Sequence, residues 1–265
     1  MVNQREIPKV IHYCWFGGKS LPESALRCIE SWKIYCPDYI IKEWNENNFD
    51  INCCDYVREA YAEKKWAFVS DYARFWILYN EGGIYFDTDV ELIRTIDDIR
   101  ERGSFMCCER ASDNPMEYEL NSMVAPGLGL GACAGLGIYK DILGFYNNKH
   151  FVDGEGRCDL TTVVQYTTEI LLAHDYIKSK CNEVQRIDEI YIYPVEYFCP
   201  MNFFTGDITI TSNTRSIHHY SASWHNEVGR TIIKIQRFMS KYGKIGKVLE
   251  RIITLPLRAW NKIFK

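Results

Sequence analysis

The chain lacks the patterns that mark a metal-stapled or secreted protein. Its eleven cysteines include no Cys-x-x-Cys spacing and no histidine cluster beside them. Their odd, unpatterned set argues against a disulfide framework and for reduced thiols in a cytosol. Met1 to Lys9 carry charges, but no apolar segment with a small-residue cleavage site follows, so no secretory signal is expected. Residues 120 to 139 are uncharged, yet five glycines and Pro126 make them a poor membrane helix. There is no internal repeat, and no low-complexity segment longer than that glycine-rich stretch. The expected setting is cytoplasmic, soluble or peripheral on the inner face of the cell membrane.

A basic footprint is also missing from most of the chain. The net charge of -4 hides a split, since residues 226 to 265 carry ten Lys or Arg against Glu227 and Glu250, a balance of +8, which leaves -12 for residues 1 to 225. An acidic body is a poor match for a nucleic-acid backbone, so no nucleic-acid partner is expected. The basic tail suits an anionic membrane surface. With 47% hydrophobic and 14% aromatic residues, the 265-residue chain can bury a full core. The reading is one domain over 1–225 followed by a basic, amphipathic helical tail over 226–265, interrupted at Gly243, Gly246 and Pro256.

Apolar runs alternate with helical patterns, which implies an α/β sheet. Val10 to Phe16 reads as a buried strand ended by Gly17-Gly18. A helix capped by Ser20 runs to about Tyr35, and Tyr39 to Trp44 is a second strand. Helices follow over Asp55 to Lys64 and Trp66 to Asn80, the latter stopped by Gly82-Gly83, and Ile84 to Asp89 is the next strand. Further on, Ser104 to Glu109, Tyr191 to Val195 and Ile208 to Thr211 read as strands, and Leu136 to Asn148 and Thr162 to His174 as helices. The run Gly129-x-Gly131-x-x-Ala134 formally matches a dinucleotide fingerprint, but it lacks a clear preceding strand and reads as a loop.

Three clusters can carry chemistry. On an alternating strand Tyr85, Asp87 and Asp89 share a face, and two neighbouring carboxylates point to a bound cation or a raised pKa. At the carboxyl end of a sheet strand, such oxygens suit Mg2+ or Mn2+ better than zinc. Asp71 and Arg74, three apart on a helix, share a face and either form an exposed ion pair or look into the same cleft. The third cluster is His218-His219-Tyr220-Ser221-Ala222-Ser223-Trp224. One of its two histidines could ligate, and Ser221, Ser223 and the Trp224 indole could donate to phosphate oxygens.

These residues carry a resemblance. Ile7-Pro8-Lys9-Val10-Ile11-His12-Tyr13-Cys14-Trp15-Phe16-Gly17-Gly18, the block Ser70 to Asp89 with its S-D-x-x-R-x-x-x-L-x-x-x-G-G-x-Y-x-D-x-D spacing, and Ile217 to Trp224 together span most of residues 7 to 224. In them the chain resembles the glycosyltransferases that include initiating α-1,6-mannosyltransferases and bacterial capsular-polysaccharide sugar transferases (glycosyltransferase family 32), and more distantly the glucosylating clostridial toxins. The resemblance implies a GT-A, Rossmann-like nucleotide-diphospho-sugar transferase fold and retaining transfer of a hexose from a sugar nucleotide. UDP-hexose is favoured, with GDP-mannose second. The acceptor would be a glycan or lipid-linked acceptor in capsular or surface polysaccharide synthesis.

Carried over residue by residue, the resemblance makes Asp71, Arg74, Asp87 and Asp89 catalytic. Trp15, Ser70, Asp71, Arg74, Tyr85, Asp87, Ser221, Ser223 and Trp224 would bind the donor. Asp87, Asp89 and His219 would hold Mn2+ or Mg2+. The middle of the chain departs from the family, with Asn121-Ser122 before the glycine run and Thr161-Thr162 where relatives carry Thr-Gly-Pro. Two other readings stay open: a haloacid-dehalogenase-type phosphatase using Asp87 as nucleophile within Tyr85 to Val90, and a noncatalytic carbohydrate-binding protein.

Overall fold

The alternation of strands and helices produces an α/β fold around one mixed sheet, followed by a C-terminal helical hairpin. The computed structural model describes residues 6–110, 122–221 and 227–263. β1 (Val10–Cys14), β2 (Ile40–Trp44) and β3 (Gly83–Tyr85) lie parallel in the order β2-β1-β3. They are connected through α1 (Glu23–Tyr35), α2 (Asp55–Ala62) and α3 (Trp66–Glu81). After β4 (Val90–Leu92) and α4 (Asp97–Arg102) come β5 (Phe105–Glu109), β6 (Met123–Val124) and β7 (Leu130–Ala132). The chain continues through α5 (Gly137–Asn147), α6 (Val163–Ala173), β8 (Gln185–Ile187), β9 (Ile190–Tyr193), α7 (Val195–Phe198) and β10 (Ser216–His218). The large sheet has the order β2-β1-β3-β7-β5-β9-β8, with β6 beside β5, while β4 and β10 form a separate antiparallel pair.

α3 is buried on several sides, from Phe68 and Val69 to Ile77 and Leu78, and it buries Asp71 and Arg74 with them. Its end is set by Gly82 (φ 68°), whose N–H closes onto the Leu78 carbonyl at 3.0 Å. Gly83 (φ 102°) leaves room for His12, since a Cβ there would stand 2.7 Å from His12 Nε2. His12 is 1% exposed. Its Nε2 donates to the Gly82 carbonyl at 3.0 Å and its Nδ1 accepts from Trp44 Nε1 at 3.0 Å, which assigns the neutral tautomer. One imidazole thus joins β1, β2 and the glycine turn.

Four expectations for residues 1–225 are corrected. α1 begins after Pro22, whose carbonyl accepts the N–H groups of Ala25 and Leu26, so Ser20 is not its cap. The strand expected over Ile84 to Asp89 stops at Tyr85, and the chain then turns, with Val90 N–H closing onto the Asp87 carbonyl at 3.1 Å. The glycine run expected to be a loop contains β7, a central strand antiparallel to β3 and β5. Its glycines admit neighbouring rings: a Cβ on Gly131 would meet Phe105 at 2.2 Å, and one on Gly129 would meet Phe86 at 3.0 Å and Phe198 at 3.1 Å. Ile208 makes only an isolated bridge to Met201, and the late strand is β10 instead.

In the tail, α8 (Glu227–Ser240) and α9 (Gly243–Ile263) pack as a hairpin. Gly246 and Pro256 lie inside α9 and do not end it. Gly246 is the point of close approach, because a Cβ there would sit 1.8 Å from the Met239 carbonyl oxygen of α8.

Candidate active site

The loops leaving the parallel strands β1 and β3 open at one end of the sheet, where α/β folds hold ligands. Tyr85, the last residue of β3, is 1% exposed and donates its hydroxyl to Asp87 Oδ1 at 3.0 Å. The Arg74 guanidinium lies 4.9 Å from the Tyr85 ring centroid. Its Nη2 reaches Asp71 Oδ1 at 3.0 Å and Asp87 Oδ1 at 3.3 Å, and its Nε donates to the Ser70 carbonyl at 3.1 Å. Asp71 and Arg74 therefore do not form an exposed surface pair. Arg74 Nη1 is buried and has no hydrogen-bond partner among the described residues. A buried guanidinium with one idle nitrogen is costly unless something else takes that donor.

Burial pushes the Asp71 carboxyl up to about 7 although Arg74 opposes it, and the Val163 N–H at the start of α6 also favours its charged form. Burial likewise raises the Asp87 carboxyl, against Arg74 and with the added repulsion of Asp89. Asp87 hangs over bare backbone: its N–H donates to the Gly127 carbonyl at 3.0 Å, and a Cβ on Gly127 would stand 2.0 Å from Asp87 Oδ2.

Asp89 is gripped from the small sheet. Ser221 donates both its N–H and its Oγ to Asp89 Oδ2 at 2.8 Å, and His218 Nε2 lies 3.2 Å from Oδ1. Burial works against the Asp89 charge, but His218 and Ser221 outweigh it and hold the carboxyl well below the usual range. The same contact raises the His218 imidazole despite its own burial, so Asp89 and His218 form an ion pair. Glu109, the last residue of β5, is pushed up to about 7 by burial, with His218 opposing.

The two acids do not share one face of a strand, as the alternation predicts. They stand at either end of a turn, Asp87 tied to the large sheet and Asp89 to the small one. His219 is also corrected: its backbone N–H donates to the Asp89 carbonyl, but its ring turns to Glu91 Oε2 at 2.7 Å, and His218 is the histidine that reaches the acid. Trp15 is half-buried on the loop after β1, its indole N–H held by the Lys19 carbonyl at 2.6 Å. Ser70 Oγ turns back to the Trp66 carbonyl at 3.1 Å. Ser223 and Trp224 lie outside the described residues. Gly127 and Glu109 escape the sequence reading, which names His218 in its cluster but carries the metal-ligand role to His219. Only Gly127 had a visible signal, the density of glycines around it.

Among the described residues no group of three His, Cys, Asp or Glu side chains forms a metal cage. The oxygens present nevertheless fit a hard dication. No donor among the described residues reaches Asp87 Oδ2, and Mg2+ and Mn2+ commonly take one or two carboxylates and complete their shell with water and substrate phosphates.

Residues 22–106 match a family model described as "Glycosyltransferase sugar-binding region containing DXD motif". That stretch holds Asp71, Arg74, Tyr85, Asp87 and Asp89, whereas Trp15, His218 and Ser221 fall outside it. Among solved structures the chain is similar to PaToxG glycosyltransferase, with 19% identity over 64% of this chain and 71% of that one and a TM-score of 0.48. It is also similar to a glycosyltransferase involved in the glycosylation of the major capsid of PBCV-1, with 10% identity over 72% of this chain and 84% of that one and a TM-score of 0.40. No curated protein matches the chain.

Proposed function

We propose that the chain is a retaining glycosyltransferase that moves a hexose from a sugar nucleotide, UDP-hexose before GDP-mannose, to a glycan or lipid-linked acceptor in surface polysaccharide synthesis. The observation that carries this reading is the idle Nη1 of the buried Arg74, set between Asp71 and Asp87 within a stretch that matches a sugar-binding region. A sugar hydroxyl is the natural partner for that donor, and Asp71 beside it offers an acceptor.

Asp87 and Asp89 would hold Mn2+ or Mg2+, which when bound supplies Lewis-acid neutralisation of the negative charge growing on the leaving diphosphate. The protein's own residues prepare that role. His218 and Ser221 keep Asp89 ionised, and Tyr85 and Arg74 fix the Asp87 carboxylate. Trp15, on the loop after β1, is the proposed platform for the nucleotide base. In the front-face route to retention, the acceptor would attack on the face the diphosphate leaves, and the departing phosphate oxygen would take the acceptor proton, so no dedicated base is needed.

A phosphatase nucleophile would need Asp87 free for attack with a lysine beside it. The cation paired with Asp87 is instead the Arg74 guanidinium, which favours the transferase reading.

The test is a panel of sugar nucleotides incubated with Mn2+ or with EDTA, read by nucleoside-diphosphate release. Asp89→Asn is expected to fold normally and to lower release by about 10²-fold or more, the scale on which loss of a preorganised electrostatic group is felt. Near-normal release by that variant, or release of phosphate from simple phosphomonoesters without sugar transfer, would overturn the reading.

A further inference from the structure

The tail hairpin presents an apolar face that nothing among the described residues covers. Along α9, Ile245, Val248, Leu249, Ile252 and Leu255 are 43–72% exposed. At 100° per residue they fall within an arc of about 120°. The opposite side of α9 holds the buried Gly246, which packs against α8, and the buried Thr254. Phe238 and Tyr242, also exposed and 5.7 Å apart between ring centroids, extend the apolar patch around the bend. Arg251 and Arg258 are exposed and border the arc on one side.

The charge around this face selects its occupant. The tail carries +8 against -12 for the body. An isologous dimer through this face would bring two strongly cationic surfaces together. An anionic bilayer offers opposite charge and apolar depth at once, and no helix among the described residues is long and apolar enough to cross a membrane. We infer that the hairpin seats the protein on an anionic lipid surface, with α9 lying in the headgroup plane, its apolar arc toward the acyl chains and its arginines level with the phosphates.

α8 ties this surface to the body. Arg237 donates Nε to the Phe203 carbonyl at 3.0 Å, and its guanidinium lies 5.9 Å from the centroid of Tyr220, the neighbour of Ser221. A seated hairpin therefore stands beside the loop that holds Asp89. The inference is independent of the sugar-transfer reading, because its test measures lipid binding and not turnover.

The full chain is sedimented with vesicles of equal phosphatidylglycerol and phosphatidylcholine, and with phosphatidylcholine alone, at low and high salt. Binding is expected only to the anionic vesicles and to weaken with salt. Ile245→Glu with Ile252→Glu, and separately Arg251→Glu, should each weaken it by about tenfold or more, with unchanged thermal unfolding because all three side chains are exposed. Wild-type protein left in the supernatant, or equal sedimentation of the variants, overturns the proposal. So does a concentration-dependent oligomer that Ile252→Glu dissociates in a protein without lipid preference, which would identify a second copy as the occupant.

Discussion

His218 and His219 are adjacent, yet the structure gives them different partners: His218 ends β10, and His219, just past it, turns its ring another way. His218 faces Asp89 at 3.2 Å, and His219 faces Glu91 at 2.7 Å. Under the proposed mechanism, His218→Ala should raise the Mn2+ concentration needed for half-maximal nucleoside-diphosphate release by about 10- to 100-fold, as loss of a group that orients a ligating residue commonly does. His219→Ala should move it far less. Superimposable metal titrations for the two variants would remove the assignment to His218. The sequence places both histidines near the site, but the choice between them depends on the β4/β10 register, which pairs His218 with Val90. Nothing in a single chain's spacing reveals that register.

At the scale of elements, the helices are the most legible part of the fold. The expected α3 ends within a residue of the observed one, because Gly82-Gly83 supplies the positive φ that a helix stop uses. β7 is hidden for the opposite reason: glycine is a poor strand former, and only the rings lying on the strand explain its presence there. The D-x-D pair is legible as a site but not as a turn, since Phe86 continues the apolar pattern past the end of β3 and its N–H still donates to the His12 carbonyl at 3.1 Å. The glycines offer a paired test. Gly131→Ala should lower stability by about 1–3 kcal/mol through overpacking against Phe105. Gly127→Ala should displace the Asp87 carboxylate and reduce transfer more than it reduces the thermal midpoint. Thermal melts and donor turnover measured side by side check both, and an unaffected turnover for Gly127→Ala would contradict the placement of Asp87.

The whole molecule registers His12 through its response to acid. Burial pushes the His12 imidazole down to about 4 from an ordinary 6.5, with the bond to the Gly82 carbonyl opposing. The folded state therefore resists a proton that the unfolded chain accepts. The stability tied to neutral His12 is complete above pH 6.5 and is lost as pH falls toward 4, by about 3 kcal/mol at most. In denaturant titrations, the stability gap between wild type and His12→Gln should narrow over that interval. Parallel profiles would show that His12 does not titrate as its burial dictates. The charge split between body and tail is legible at this scale from composition alone, whereas the exposure of the apolar arc on α9 is not.

The candidate acids are two residues apart in the chain, but their separation is a relation between two sheets. Tyr85 and the Gly127 carbonyl hold Asp87 from the large one, while His218 and Ser221 hold Asp89 from the side of the small one. That small sheet is braced from behind by α1, where Trp32 Nε1 donates to the Val90 carbonyl at 2.8 Å and Ser31 Oγ accepts the Leu92 N–H at 2.9 Å. The jaw width between the carboxylates is consequently set in part from the rear: a substitution at Ser31 or Trp32 that shifted α1 along β4 would alter it while every residue lining the cleft stayed the same.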